Sequence, residues 1–323
     1  MDTNRPPPAA SSPVPRLSLR TCWQLARQAL SSWSDDYASS MGAALAYYTM
    51  FSIAPLLLIV VSVAGLVFGD EAARGEVFGQ LEHLMGAQGA GAVQGLLQSV
   101  NKPDESSIAA LIGTVVLIIG ATTVFAELQS SLDRIWRAPA RKPESGIWAL
   151  IRSRLLSFGL IMGLGFLLMV SLVLSAGLAA LGKWWAPFFG GWATLAEVVN
   201  VVVGFGLITV IFAMIYKIMP RAHVQWRDVW VGAGVTSLLF AIGKSLIGLY
   251  IGRSSVASGF GAAGSLAVLL VWVYYSAQIF LMGAEFTWVY AHTFGSRLGS
   301  QRPGPQGDVP TRSASPAPQP VTA

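Results

Sequence analysis

Apolar residues in this chain come in long, uncharged windows rather than in the short alternations of a soluble protein. Six windows stand out: 41–69, 106–126, 155–182, 198–216, 229–251 and 254–284, of which only the fifth holds a charge, Lys244. About 20 apolar residues cross a bilayer as a helix, so each window is long enough. The third and sixth leave room for tilt and interfacial residues. The pattern predicts an all-α polytopic membrane bundle of six transmembrane helices.

Two further segments carry helical periodicity. Leu19, Trp23, Ala26, Leu30 and Trp33 recur every three or four residues, with Arg20 and Arg27 on another face. This is the pattern of an amphipathic helix lying in the cytoplasmic membrane interface, or of one packed under the bundle by the same stripe. In the connection 70–105, Val77, Leu81, Leu84 and Met85 form one face and Val93, Leu96, Leu97 and Val100 another. Two short amphipathic helices joined near Gly86–Gly91 are predicted there, capping the outer mouth of the bundle.

Composition agrees. Of 323 residues, 54% are hydrophobic and 11% charged, whereas a soluble protein carries roughly 25% charged residues. The net charge of +5 therefore reads as topology. The N-terminal segment, the connections after the second and fourth windows, and the C-terminal tail hold sixteen Lys and Arg, against four on the other side. The positive-inside rule places both termini in the cytoplasm of a bacterial inner membrane, with the acidic connection 70–105 facing outward. Residues 1–15 lack the apolar core of a cleavable signal, and 299–323 hold six prolines. The expected organisation is a disordered tail over 1–16, a membrane domain over 17–295 and a disordered tail over 296–323.

The chemistry-bearing residues are few. A single cysteine, Cys22, excludes an internal disulfide and a cysteine-based zinc cluster, and His83, His223 and His292 lie far apart. No catalytic residue, metal ligand or cofactor is expected, and no nucleic-acid partner. Polar groups at lipid depth are costly and so become functional candidates. Lys244 lies about 22 Å along its helix at ~1.5 Å per residue, in the outer half of the bilayer, where it snorkels outward or faces a cleft. Tyr47, Tyr48, Ser52 and Pro55 open the first span, where proline frees a carbonyl and hydroxyls lie near. Tyr274, Tyr275 and Gln278 add polar tips midway along the sixth. Together these are candidate cavity-lining residues. At the cytoplasmic boundary Asp36, Glu127, Asp228 and Glu285 meet Arg134 and Arg137. They form either a ring of ion pairs fixing helix ends or an inner gate, with Glu127 and Glu285 ending the second and sixth spans. The GxxxG pairs Gly65/Gly69 and Gly248/Gly252 suit helix packing and are compatible with a homo-oligomer.

Several segments resemble one known family. They are Ala44-Leu45-Ala46-Tyr47-Tyr48 with Ser52 and Pro55, Ser131-Leu132-Asp133-Arg134-Ile135-Trp136-Arg137, and Ile215-Tyr216-Lys217-Ile218-Met219-Pro220. Further along come Trp226-Arg227-Asp228, Gly232-Ala233, Gly243-Lys244, Gly261-Ala262-Ala263-Gly264-Ser265, Trp272-Val273-Tyr274-Tyr275-Ser276 and Gly283-Ala284-Glu285-Phe286. As an ordered set over roughly 20–295, they are similar to the YihY/BrkB family of bacterial inner-membrane proteins, which long carried the label ribonuclease BN. The resemblance implies a six-helix inner-membrane protein linked to envelope maintenance, serum resistance, or transport of ions or lipids. It supplies no agreed catalytic residues. The nuclease label fails on physical grounds: such an enzyme needs clustered His and Asp ligands in a water-filled site, and the longest cytoplasmic connection, 127–154, has no histidine. The expected function is a non-enzymatic permease for an amphipathic, lipid-like substrate, in contact with membrane lipids. The alternatives are a cation/proton antiporter and an envelope scaffold that meets protein partners through 70–105.

Overall fold

A computed structural model describes residues 18–100, 123–138, 177, 192–253 and 263–298. Every regular element among the described residues is a helix. Windows 106–126 and 155–182 lie almost wholly outside them, as do the N-terminal tail and 299–323.

Helix α1, Leu19–Asp35, starts at Ser18, whose hydroxyl accepts the Arg20 N–H at 3.3 Å. Helix α2, Ala38–Phe68, follows after a sharp turn in which Tyr37 takes a left-handed φ of 56°. Gly69 closes α2 at φ 86°, a conformation a side chain would resist. Helix α3, Asp70–Val100, breaks at Gly86 (φ 78°, ψ 168°), so the connection 70–105 does form two helical pieces. Helix α4 covers 123–135. Helix α5, Trp192–Ile218, precedes α6, Trp226–Arg253, and α7, Gly264–Thr293, completes the set. Three described stretches are long and apolar enough to cross a membrane: Val201–Ile218 in α5, then α6 and α7.

The final helix departs from expectation. It covers Gly264–Thr293, so Glu285 lies inside the helix instead of at its end. The apolar run Trp288-Val289 and Ala291 continues the buried face beyond the charge. Residues 296–298, counted by composition with the C-terminal tail, are part of the described structure. Ser296 and Arg297 are tied to the bundle, Ser296 donating its N–H and hydroxyl to Asp228 and Arg297 donating to the His223 carbonyl.

Two clusters of buried apolar side chains fill the bundle, and α7 contributes to both. One, near the chain ends, joins Leu25 of α1, Met41 of α2, Trp136, Tyr216 of α5, Ala233 of α6 and Trp288 of α7. The other joins Leu57 of α2 and Ile251 of α6 to Met85 and Val93 of α3 and Leu269 of α7, so α3 caps the opposite end. Neighbours reach α7 through small residues. A Cβ on Gly42 would overlap Gln278, one on Gly232 would overlap Thr287, and one on Gly243 would overlap Ile279. Gly248, by contrast, has open space around it, and Gly69 serves as a helix terminator. Neither of these two glycines makes a close contact within the described bundle.

Helix α1 docks with a different stripe from the expected one. Leu25, Ala29 and Ser32 are buried, while Trp23 (72% exposed) and Leu30 (56%) face away. Trp23 and Leu30 are thus not buried under the bundle; among the described side chains of that stripe, Trp33 packs against the core.

Candidate functional site

The cytoplasmic-side candidates separate into three groups, each held by a different local arrangement. Asp36 caps the end of α1, its N–H donating to the Ser32 carbonyl at 2.9 Å while the next N–H, of Tyr37, donates to the Ser34 carbonyl at 3.1 Å. Opposite lies Glu285, fully buried on α7. The charged groups acting on Glu285 are Asp36 first, then Arg137 and Asp35. Neither Glu285 oxygen has a hydrogen-bond donor, nor does Asp36 Oδ2. Arg137 sits just past α4, its guanidinium 4.7 Å over the ring of Trp288, which lies on the turn after Glu285. Arg134 stacks 5.7 Å over the ring of Tyr37. Tyr37 (φ 56°) and Arg137 (φ 48°) are the two non-glycine residues with positive φ among the described residues, and both adjoin this carboxyl pair. Bulky residues rarely adopt that conformation, and where they do it tends to mark a functional constraint.

Asp228 belongs elsewhere. It is buried in the first turn of α6 and accepts from Ser296 N–H at 3.2 Å and Ser296 Oγ at 2.6 Å. An anion at a helix N-terminus is favoured by the helix dipole, so this carboxylate is a satisfied structural latch. Glu127 is half-buried in α4 and is not brought to the Asp36–Glu285 pair by any contact described. The expected ring of edge carboxylates therefore resolves into one unsatisfied pair and one latch.

A carboxylate outside the expected set makes a third arrangement. Asp133 of α4 accepts the Arg221 backbone N–H at 2.7 Å, with the Arg221 guanidinium at 3.4 Å, bridging α4 to the α5–α6 connection. Burial raises its pKa above the usual carboxylate value, against the lowering effect of Arg221. Asp133 lies in the Ser131–Arg137 segment that carries the family resemblance, where the sequence assigns roles to Arg134 and Arg137 but none to Asp133.

The cavity candidates converge only in part. Gln278 meets the start of α2, packing on Gly42 and donating Nε2 to the Ser39 carbonyl at 3.5 Å, while its Oε1 is buried without a donor. Tyr275 packs beside Gly243, the neighbour of the half-buried Lys244. Ser52 is buried and bonds back to Thr49 of its own helix. Tyr47 (54% exposed) stacks edge-on with Tyr48 and Phe51 of its own helix. Tyr274 is 38% exposed. The Pro55 side chain lies outside the described residues. What the structure does assemble is a polar stripe on α7, from half-exposed Tyr274 through Gln278 to buried Glu285, on spacings of four and seven. Among the described residues no group of three or more His, Cys, Asp or Glu could hold a metal ion.

Against known proteins, the profile of the family described as Virulence factor BrkB matches residues 29–306. A UPF0761 membrane protein of Cronobacter sakazakii is 28% identical over 259 residues, covering 78% of this chain and 83% of that protein. One from Alteromonas mediterranea is 25% identical over 276 residues, covering 83% and 88%. One from Pseudomonas aeruginosa is 27% identical over 284 residues, covering 84% and 63%. No solved structure matches.

Proposed function

The chain belongs to the Virulence factor BrkB family of membrane proteins, and from that premise we propose that it is a non-enzymatic permease of the bacterial inner membrane. Its substrate is amphipathic and lipid-like, and its work is envelope maintenance. One observation carries the reading: the α7 stripe leaves Gln278 Oε1 and both Glu285 oxygens buried and without donors, in a helix otherwise apolar enough to cross a membrane. Unsatisfied polar groups of this kind cost stability, and in membrane helices they mark substrate or ion pathways. A bare ion needs several ligands to replace its water. The stripe offers few, together with tyrosine and amide groups suited to a headgroup. Six spans with both termini inside complete the proposal and accord with the basic connections.

Reconstitution of the full chain in phosphatidylethanolamine and phosphatidylglycerol vesicles tests it. Protection of a headgroup-labelled fluorescent lipid from a membrane-impermeant reductant should fall faster with the protein than without it. Ion flux without lipid movement would replace the permease with an antiporter. Neither movement would leave the scaffold, acting through α3.

A further inference from the structure

Asp36 Oδ2, both Glu285 oxygens and Gln278 Oε1 are all acceptors, all buried, and none has a donor. They lie along one seam, where the start of α2 runs beside α7: Gln278 meets Ser39 and Gly42, and Glu285 faces Asp36. Two neighbouring carboxylates that lack donors repel each other strongly when both are ionised.

The other charged and titratable groups packed around α7 do not remove this repulsion. Asp35, from the end of α1, adds a second negative charge to the site. From α5, the Tyr216 hydroxyl is engaged by Thr236 at 3.0 Å and the Phe280 carbonyl at 2.7 Å. From α6, Asp228 is engaged by Ser296. From the segment ending α4, Arg137 is held over Trp288 and Arg134 over Tyr37; with Asp35 ionised, these two positive charges are balanced when Asp36 and Glu285 carry a single negative charge between them.

We propose that Asp36 and Glu285 hold one exchangeable proton between them, and that its release parts α7 from the α1–α2 turn. The proton is bound from water and returned to water, with no other bond made or broken. On release two anions face each other across a dry seam, and the strained Tyr37 turn is the place where the chain can yield. This inference rests on the permease reading for its purpose but not for its chemistry.

The test uses the full chain in the same vesicles and follows the carbonyl stretch of protonated carboxyls in infrared difference spectra across pH. Subtracting the Glu285→Gln and Asp36→Asn spectra from the wild-type spectrum isolates the pair. Coupled groups lose their protons in two separated steps, so the wild type should show two and each variant one. An unchanged profile in either variant overturns the proposal, and so does a profile that shifts when sodium or potassium replaces a bulky organic cation. If Glu285→Gln cannot be recovered folded, the Asp36→Asn comparison decides alone. Headgroup movement under an imposed pH gradient then separates the two claims. Two-step titration with no lipid movement sinks the permease and keeps the proton pair. Lipid movement that responds to the gradient equally in wild type and Glu285→Gln overturns the proton switch and keeps the permease.

Discussion

Gly232 of α6 packs so closely on Thr287 of α7 that a methyl group on the glycine would overlap the threonine side chain. Thr287 cannot swing away freely, because its hydroxyl donates to the Gly283 carbonyl at 2.6 Å in a fully buried site. Gly232→Ala should therefore destabilise the bundle by about 1–3 kcal/mol, the usual cost of overpacking. Thermal melting in detergent measures it. The double variant Gly232→Ala with Thr287→Ala should recover most of the loss. If the single variant melts with the wild type, the helices are not in this contact.

On the next turns of the same interface, the Tyr216 hydroxyl ties three helices by meeting Thr236 on α6 and the Phe280 carbonyl on α7. Tyr216→Phe keeps the ring and its stacking on Phe212 and Phe280 but removes both of these hydrogen bonds. A loss of about 1–3 kcal/mol is expected. Thr236→Val should cost less on this count, since the Tyr216 hydroxyl keeps Phe280. Equal losses would mean that the network acts through Thr236 instead.

Asp133 gives a pH dependence whose direction follows from its burial. Its folded-state pKa is raised above the unfolded value, so the folded protein binds the proton more tightly. The penalty for the carboxylate is complete above the folded pKa and disappears as pH falls through it toward the unfolded value. Asp133→Asn has no such titration and can still accept the Arg221 N–H. The variant should be at least as stable as wild type at neutral pH, and its advantage should vanish in acid. Melting curves across pH settle the point, and a variant that is weaker at neutral pH and equal in acid would reverse the assignment.

Sequence alone locates α6 well, because its apolar window is bounded by Arg227 and Arg253, and the break in α3, because Gly86 accommodates a positive φ. It places the end of α7 too early for a physical reason: a charge inside an apolar run reads as a membrane edge, whereas Glu285 is enclosed by the α1–α2 turn and by Arg137, residues far away in the chain. Asp228 looked equivalent to Glu285 by depth. Its partner, Ser296, lies in what composition marks as tail, and no periodicity reports that bond. Periodicity likewise found α1 but not its inner face, since an apolar stripe fits lipid as well as protein.

The Asp228 latch makes the tail boundary measurable. Cutting the chain after Leu298 should leave the melting temperature unchanged. Cutting after Gly295 removes Ser296 and Arg297, whose guanidinium lies 5.4 Å over Trp136 and donates to His223. That cut should cost about 1.5–3 kcal/mol, the range for a hydrogen bond to a charged group. Asp228→Asn should speed trypsin cleavage at Arg297 in the full chain. Equal melting of both truncations would show that the turn only rests on the bundle.

The last prediction concerns the outward stripe of α1. Trp23 and Leu30 are exposed beside Arg20 and Arg27, with apolar and basic groups on one unburied surface. In water this is unfavourable, and at an anionic membrane surface both halves are satisfied, the rings among the acyl boundary and the guanidinium groups on phosphates. The sole cysteine, Cys22, is exposed on the same helix and offers a native position for an environment-sensitive fluorophore. In phosphatidylglycerol-containing vesicles the label should be quenched by lipids spin-labelled near the headgroup. Trp23→Ala with Leu30→Ala should reduce that quenching severalfold. Arg20→Gln with Arg27→Gln should reduce it less and make it insensitive to added salt. A label that stays unquenched in the wild type would put α1 in water, and the exposed stripe would then need a protein to cover it.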